Sequence, residues 1–284
     1  MNKLKNLHPI YWSTLFFVLS QCITLMLAWN ITGFLAENDL AVPEVSVGTP
    51  LAYFLGGVVL VGIVLFLVPV SKLKIVFRIL FSLLFFWGLF VDFSVFVPLI
   101  AVLIISIGAT LLWLFKPKIW LHDVLLVCSL TAVGAVFGTM ISPWTAVILM
   151  IVLSVYDFLA VRFGYMMWMV KKLSKLDTLP AFVIPKEIDR WNMDIRETHV
   201  LEDESQERNF SLLGGGDIGF PLILISAVLT YYGLGDAVII AAFALAGLGT
   251  VYWIQKVFLN GKPIAALPPI TVACFVGFLI VYFT

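Results

Sequence analysis

The sequence predicts an all-α polytopic membrane protein with nine transmembrane helices, its N-terminus cytoplasmic and its C-terminus extracytoplasmic. Three observations carry this. The chain of 284 residues is 62% hydrophobic and 12% charged, whereas soluble domains run at about 45–50% and about 25%. The charge is also unevenly placed, with 16 of the 34 charged residues falling between Lys171 and Asn209. Elsewhere the chain is a succession of apolar stretches of the roughly 20 residues that a bilayer core requires. A soluble enzyme and a disordered chain are excluded. So is a nucleic-acid binder, because 17 basic residues balance 17 acidic ones and leave no bulk positive field.

The first span, 9–36, follows Lys3 and Lys5; its run from Pro9 to Trp29 is too long for a signal-peptide core and lacks a small-residue cleavage site, so it reads as a retained anchor. The second is 51–70. The apolar run from Phe77 to Phe115 is divided at Asp92 into a third span, 75–91, and a fourth, 94–115. The fifth and sixth are 121–141 and 143–170. A polar loop broken by Pro180 and Pro185 leads to the last three spans, 212–232, 237–256 and 264–284. The chain thus divides into a six-span half (1–170), a polar cytoplasmic loop (171–211) and a three-span half (212–284).

Orientation follows from the basic residues, which concentrate on the cytoplasmic side. With nine spans every Lys and Arg falls on one side: Lys3 and Lys5; Lys72, Lys74 and Arg78; Lys116 and Lys118; the loop cluster with Arg162; Lys256 and Lys262. The opposite connections carry Glu37, Asp39, Glu44, Asp92 and Asp236 and no basic residue. A different helix count would scramble this partition.

Two carboxyls lie inside predicted spans, Asp157 in Ser154-Val155-Tyr156-Asp157-Phe158 and Asp217 in Gly214-Gly215-Gly216-Asp217-Ile218. An ionisable group at bilayer depth costs at least ~2.5–3.5 kcal/mol and marks a functional site by default. At 1.5 Å per residue, Asp157 lies about 21 Å along the sixth span, leaving about 9 Å of a core about 30 Å thick. Asp217, on a span running the other way, lies about 9 Å from the same face. The two can meet. A facing carboxyl pair shares one proton, which gives one group able to take a proton from water and one able to polarise a carbonyl. Hydrolysis, a proton or cation path in a transporter, and interhelical hydrogen bonding all remain open on the carboxyls alone. Arg162, five residues from Asp157, points some 140° away and is not its counter-ion.

The backbone around these residues is irregular. Three consecutive glycines make regular helix before Asp217 unfavourable. Pro221 offers no N–H to the Asp217 carbonyl four residues back. The segment Pro263-Ile264-Ala265-Ala266-Leu267-Pro268-Pro269 is not expected to be helical throughout, which leaves Ile270 to Thr284 for the last helix. Irregular backbone at membrane depth is tolerated where it is buried in protein or lines a watery cavity.

Taken together, these residues resemble the presenilin and signal peptide peptidase family of intramembrane aspartyl proteases, most closely its compact microbial members. The family shows Tyr-Asp in its sixth span, Gly-x-Gly-Asp in its seventh and Pro-Ala-Leu at the start of its ninth; Tyr156-Asp157, Gly214 to Asp217 and Ala266-Leu267 match in order and in span number. The resemblance implies an aspartic endopeptidase of the Gly-x-Gly-Asp type that cuts peptide bonds within transmembrane segments. Asp157 and Asp217 would be its catalytic pair, with Tyr156, Gly214, Gly216, Ala265, Ala266, Leu267 and Pro268 supporting the site or the substrate. It implies no metal or organic cofactor, transmembrane-helix substrates, a lipid bilayer as surroundings, no nucleic acid, and no obligatory partner subunit, with a homo-oligomer left open. The expected location is a multi-pass protein of a microbial plasma membrane. The rival from another class is a proton- or cation-coupled transporter using the same two carboxyls.

Two departures stand out. Ala265 replaces the first Pro of Pro-Ala-Leu, while Pro268 is kept. A second string, Gly233-Leu234-Gly235-Asp236, matches the family's wording more closely but joins spans 7 and 8 on the opposite side, and reads as a turn. Other protease chemistries fit poorly. His8, His122 and His199 form no His-Glu-x-x-His pair for zinc and no membrane-embedded base for a serine. The Lys that a prepilin-peptidase resemblance would require two residues after the Asp is Gly219. Cys22, Cys128 and Cys274 lie in separate apolar stretches with no paired spacing. Gln21 and Asn30 read as interhelical hydrogen-bond donors, each role worth ~1 kcal/mol, and Trp12, Trp29 and Trp144 as an interfacial belt. Tyr156 either packs on span 7 or steers Asp157. The loop is a connector, or offers Ala181-Phe182-Val183-Ile184 edge-on to an unwound substrate.

Overall fold

The protein is described by a computed structural model covering residues 2–40, 45, 48–165, 178–197, 210–258 and 264–284. Lys171, Lys172, Lys175, His199, Glu202 to Glu207, Pro263 and the far end of the predicted sixth span lie outside them. The described residues contain nine α-helices: α1 Asn2–Glu37, α2 Gly48–Leu67, α3 Val70–Ser94, α4 Leu99–Phe115, α5 Ile119–Thr139, α6 Pro143–Arg162, α7 Gly215–Tyr232, α8 Leu234–Val257 and α9 Leu267–Phe283. Each answers to one predicted span. Seven are long and apolar enough to cross a membrane, while α4 and α9 are apolar helices of 17 residues, about 26 Å of rise each.

The described residues cluster into two compact units. The first takes the chain through Phe16, Gly57–Ser129 and the described residues up to Gly215; the second takes the remainder, ending with Gly216–Thr284. The division passes through α1, α2 and α5, and after the first residue of α7.

In the first unit, the described part of the polar loop is structured. Phe182-Val183-Ile184, a β-favouring run between prolines, lies in strand β1, Ala181–Pro185, which pairs antiparallel with β2, Phe210–Gly214, in a register that sets Val183 opposite Leu212. The helix predicted from 212 therefore starts at Gly215, because the residues before it are a strand. Gly215 N donates to Pro180 O at 3.0 Å, which continues the ladder. Hydrogen-bonded pairs alternate in such a ladder, so Phe182 and Ile184 face β2 and the backbone groups of Ala181 and Val183 point outward. The ribbon sits on a core of Leu65, Leu73, Ile119, Leu179, Val183, Ile195 and Phe210. Phe16 stacks on Phe182 at 5.3 Å between centroids. Beyond β1, the backbone at 193–195 pairs with the α4–α5 connection, with Ile119 N donating to Met193 O at 3.1 Å and Ile195 N to Pro117 O at 2.8 Å. Arg78 also donates to Leu114 O there.

Asp92, expected in a connection, lies instead within the last turn of α3 and is 6% exposed, beside Cys128 of α5. The helix runs past it to Ser94, whose hydroxyl donates to Val91 O at 2.8 Å.

In the second unit, helices approach closely where one side chain is hydrogen. A Cβ on Gly134 would stand 2.6 Å from Leu222 Cβ, and one on Gly138 would stand 2.4 Å from Ser226 Cβ and 2.5 Å from Ile223 O. These glycines, four residues apart, form a small-residue stripe on α5 that seats α7. Gly247 of α8 does the same for α9, its Cβ position lying 2.7 Å from Ile270 Cα. Gln21 Nε2 donates to Ala241 O of α8 at 3.0 Å, the interhelical bond expected of it. Asn30 instead bonds back to Met26 O of its own helix at 2.7 Å.

Two predictions follow from this packing. Gly138→Ala drives a Cβ into backbone and lowers stability by about 1–3 kcal/mol; Gly108→Ala, with nothing within 4 Å of its Cβ position, gains up to about 1 kcal/mol of helix propensity. Thermal unfolding in detergent checks both, and equal midpoints would refute the close approach. The second concerns Asp194, to which Arg196 donates from Nε at 2.9 Å and Nη2 at 2.7 Å, holding the carboxyl below the usual carboxylate range. A lowered folded value means the stabilisation is present above about pH 4 and is lost as pH falls through that value. The Arg196 amide, donated to Asp194 Oδ1 at 2.9 Å, should keep its exchange protection factor down to about pH 4 and lose it below; loss already near neutrality would refute this.

Candidate active site

The site is built from three local sequences, whose Asp157, Asp217 and Leu267 all lie in the second unit. The first is α6. Ser142 caps it, accepting the Thr145 N–H at 3.2 Å, and Pro143 occupies the first turn, where its missing N–H is not needed. The helix ends at Arg162 rather than near 170, because Gly164 takes φ +72° and turns the chain out of the helix. Leu149, Leu153 and Asp157, spaced by four, fall on one stripe. The two leucines are buried and the Asp is half-buried. Arg162 is exposed in the last turn.

The second is the strand-to-helix switch at Gly214-Gly215-Gly216. Gly214 ends β2 and Gly215 begins α7, so helix starts two residues before Asp217, earlier than the glycines alone indicate. Asp217 lies in the first turn and is half-buried. A Cβ on Gly216 would stand 3.1 Å from the Phe220 ring, so glycine leaves room for that ring against the helix. Pro221 sits inside α7 and has no N–H to donate along the helix.

The third is the start of α9. Ala265 and Ala266 are non-helical and buried, at 6% and 9% exposure. The helix begins at Leu267 rather than Ile270, because Pro268 and Pro269 occupy the first turn, where helix N–H groups have no intrahelical acceptor in any case. Leu267 still carries such an N–H. It donates to Asp157 Oδ2 at 3.3 Å.

The Leu267 side chain completes a buried cluster with Leu149 and Leu153 of α6, against which Leu51, Phe54 and Phe220 pack. Phe54 meets Phe220 edge-on at 5.3 Å. This cluster relates the two carboxyls. Asp157 lies one turn C-terminal to Leu153, and Asp217 one turn N-terminal to Phe220. Each carboxyl stands on the helix face that the cluster joins. Such an arrangement offers two carboxyls, a backbone donor that orients one of them, and apolar walls. The structure thus joins Asp157 to Leu267 directly and ties Phe220, on Asp217's helix face, to the same leucines. Tyr156 is half-buried next to Asp157 in the chain, Pro268 is half-buried, and Gly214 stands three residues before Asp217 in β2.

The competing string behaves as a turn. Gly233 takes φ +107° between α7 and α8, and Asp236 lies in the first turn of α8. The turn is past the far end of α7 from Asp217, about 22 Å of helix away. Among the described residues, no three His, Cys, Asp or Glu side chains group as metal ligands. Sequence reasoning set His122 aside and did not weigh Asp123; both are wholly buried near the start of α5 and bonded to backbone, at Leu179 and at Val183 of β1.

The model of one protein family, described as signal-peptide peptidase, presenilin aspartyl protease, matches residues 14–284. No curated protein matches the chain. Two solved structures of a presenilin family intramembrane aspartate protease are similar in fold. The one in space group C222 superposes with a TM-score of 0.65 at 18% identity, covering 97% of this chain and 99% of that one. The one in P2 gives 0.61 at 19% identity, covering 94% and 96%.

The cluster makes Leu267 structural as well as chemical. Leu267→Ala removes a side chain that is 3% exposed and should lower stability by about 2–5 kcal/mol, while Leu267→Met should cost under about 1.5 kcal/mol. Unfolding midpoints in detergent decide it; equal midpoints for the two variants would mean the cluster is not packed as described.

Proposed function

The chain belongs to the signal-peptide peptidase and presenilin aspartyl protease family, and on that premise we propose that it hydrolyses peptide bonds within transmembrane segments by a water held between Asp157 and Asp217. It is an integral, multi-pass membrane protein by its apolar helices and its family. The observation that carries the two-carboxyl reading is the Leu267 cluster, which anchors Asp157 through the Leu267 N–H and gathers the face of α7 that bears Asp217.

The chemistry follows from the pair. Two facing carboxyls in a low-dielectric site hold one proton between them. The ionised member takes a proton from water as the oxygen attacks the substrate carbonyl, and the neutral member gives its proton to the carbonyl oxygen. In the collapse of the tetrahedral diol, the carboxyl that took the water's proton gives it to the nitrogen as the C–N bond breaks, and the other carboxylate takes a diol O–H proton as the carbonyl re-forms, which restores the singly protonated pair. The Leu267 N–H holds the Asp157 carboxyl in one orientation throughout.

A helical substrate must unwind to be cut, and its exposed backbone then needs partners. Strand addition supplies them. The expectation for Ala181 to Ile184 shifts here to the other strand. The outward N–H of Val183 is already taken by Asp123, whereas the groups of Leu212 and Gly214 that point away from β1 belong to the strand leading into Asp217. The charge partition favours a cytoplasmic N-terminus and loop, in a microbial plasma membrane. Transmembrane-helix substrates, with no cofactor and no obligatory partner subunit, complete the reading.

Cleavage of a labelled single-span substrate in liposomes tests it. Asp157→Asn and Asp217→Asn should each lower the rate by at least ~10²–10⁴-fold, with Asp236→Asn within about twofold of wild type. Activity surviving in Asp217→Asn would remove that residue from the mechanism.

A further inference from the structure

The protease reading leaves two buried polar residues without a role. His122 and Asp123 stand near the start of α5, each 0% exposed. His122 is walled by Phe81, Phe85 and Trp113, at 5.6–6.3 Å between ring centroids. Its Nε2 meets Leu179 O at 3.0 Å, so that nitrogen is the one bearing hydrogen. Asp123 Oδ1 accepts the Val183 N–H at 3.1 Å. The two bonds fall on either side of Pro180 and Ala181, at the head of β1. Nδ1 of His122 and Oδ2 of Asp123 have no hydrogen-bond partner among the described residues.

Strand β1 is buried on both faces from Phe182 to Pro185, so a one-residue slip would expose no apolar face and burial alone specifies the register weakly. Hydrogen bonds do fix it. A strand shifted by one residue would turn the Val183 N–H away from Asp123 and present the alternate edge. The ladder passes this constraint on: Phe182 and Ile184 set the register of β2, and Gly215 N is held by Pro180 O, between the two latched positions. Gly215 is two residues before Asp217 in the chain. Asp123 also occupies the outer edge of β1 at Val183 and so prevents strand addition there.

We infer that His122 and Asp123 are positioning residues: by hydrogen-bonding Leu179 O and the Val183 N–H they fix the register of the β1–β2 ribbon, and through it the start of α7 and the place at which substrate is cut. The inference rests on the protease reading and deepens it. Neither residue touches the reacting atoms.

The test uses the full-length protein in liposomes, a labelled single-span substrate, and the variants Asp123→Ala, Asp123→Asn, His122→Phe and His122→Gln, alongside wild type and Asp157→Asn. The Asn variant keeps an oxygen for Val183 N–H, and Gln keeps a donor for Leu179 O. Rate, KM, product termini by mass spectrometry, thermal unfolding and amide exchange over 178–185 and 210–215 are measured. A displacement of about 1 Å at a reacting centre costs on the order of 10²-fold in rate. Asp123→Ala and His122→Phe should therefore lower kcat by about 10–100-fold with KM within about twofold, scatter the product termini, and lose exchange protection along the ribbon. The Asn and Gln variants should restore a single set of termini. A purely structural role would lower folded yield and leave the termini unchanged.

Unchanged kcat and termini in Asp123→Ala, or equal loss in Ala and Asn variants tracking a fall in unfolding midpoint, would overturn the inference while wild type still cuts and Asp157→Asn does not. If wild type cuts no membrane substrate, the protease reading falls, and this one with it.

Discussion

Inside a bilayer, and inside protein buried in one, every backbone N–H and C=O needs a protein partner, because water is not there to serve. Helices meet this within themselves, which is why nine of them account for most of the described chain. The interest of this protein lies where helix gives way. There the partners must come from elsewhere, and each can be named. Pro180 O receives Gly215 N, Pro117 O receives Ile195 N, Leu179 O meets His122, and Val183 N finds Asp123. At the start of α9 the unpaired N–H of Leu267 finds Asp157. Each of these five bonds joins a non-helical stretch or a helix start to a named partner, and a carboxyl is the partner in two of them.

The same need explains how glycine and proline are used. Gly134, Gly138 and Gly247 serve packing, since a methyl there would collide with backbone or Cβ atoms of the facing helix. Gly214 to Gly216 serve a change of structure, from strand to helix in a single step, with Asp217 delivered in the first turn. Pro268 and Pro269 use positions where no N–H is wanted. Pro221 does the reverse: it stands inside α7, one turn after Asp217, where a helix would otherwise use its N–H. Placed in this way, the residues that break helices in general shape the two carboxyl-bearing segments without disrupting the helices that hold them.

Long apolar runs and the one-sided placement of Lys and Arg were enough to read nine helices, since both follow directly from transfer out of water. Asp157, Asp217 and the Ala-Leu segment were legible because a carboxyl in an apolar run, or a Pro-rich start to a span, violates the local rule visibly. The strand pair was not legible as such. Ala181 to Ile184 looked like a β-favouring run, but its partner, Phe210 to Gly214, merges into an apolar span, and only tertiary pairing separates the two. Asp123 was passed over because it lies two residues inside the start of a span, where a charge reads as interfacial. Its burial depends on the ribbon covering it, which no local pattern records. Asp92 was misplaced for the converse reason: it divides two apolar runs and so looked like a connection, while its helix continues to Ser94 and buries it.

The two Gly-x-Gly-Asp strings show what decides between matching letters. Gly233-Leu234-Gly235-Asp236 is the closer match in wording, yet its first glycine is spent on a positive φ that reverses the chain between two helices. That task asks nothing of the Asp. In Gly214-Gly215-Gly216-Asp217 the glycines do different work: Gly214 closes a strand register that reaches back to β1, and Gly216 leaves space for the Phe220 ring, which joins the cluster holding Leu267. The Asp that follows is fixed from both directions, by a strand before it and a packed aromatic after it. On the mechanism proposed above, the carboxyl shares a proton with a second one and has to be held in place to do so. Of the two strings, only the one bounded by a strand and a packed ring has the means to hold it.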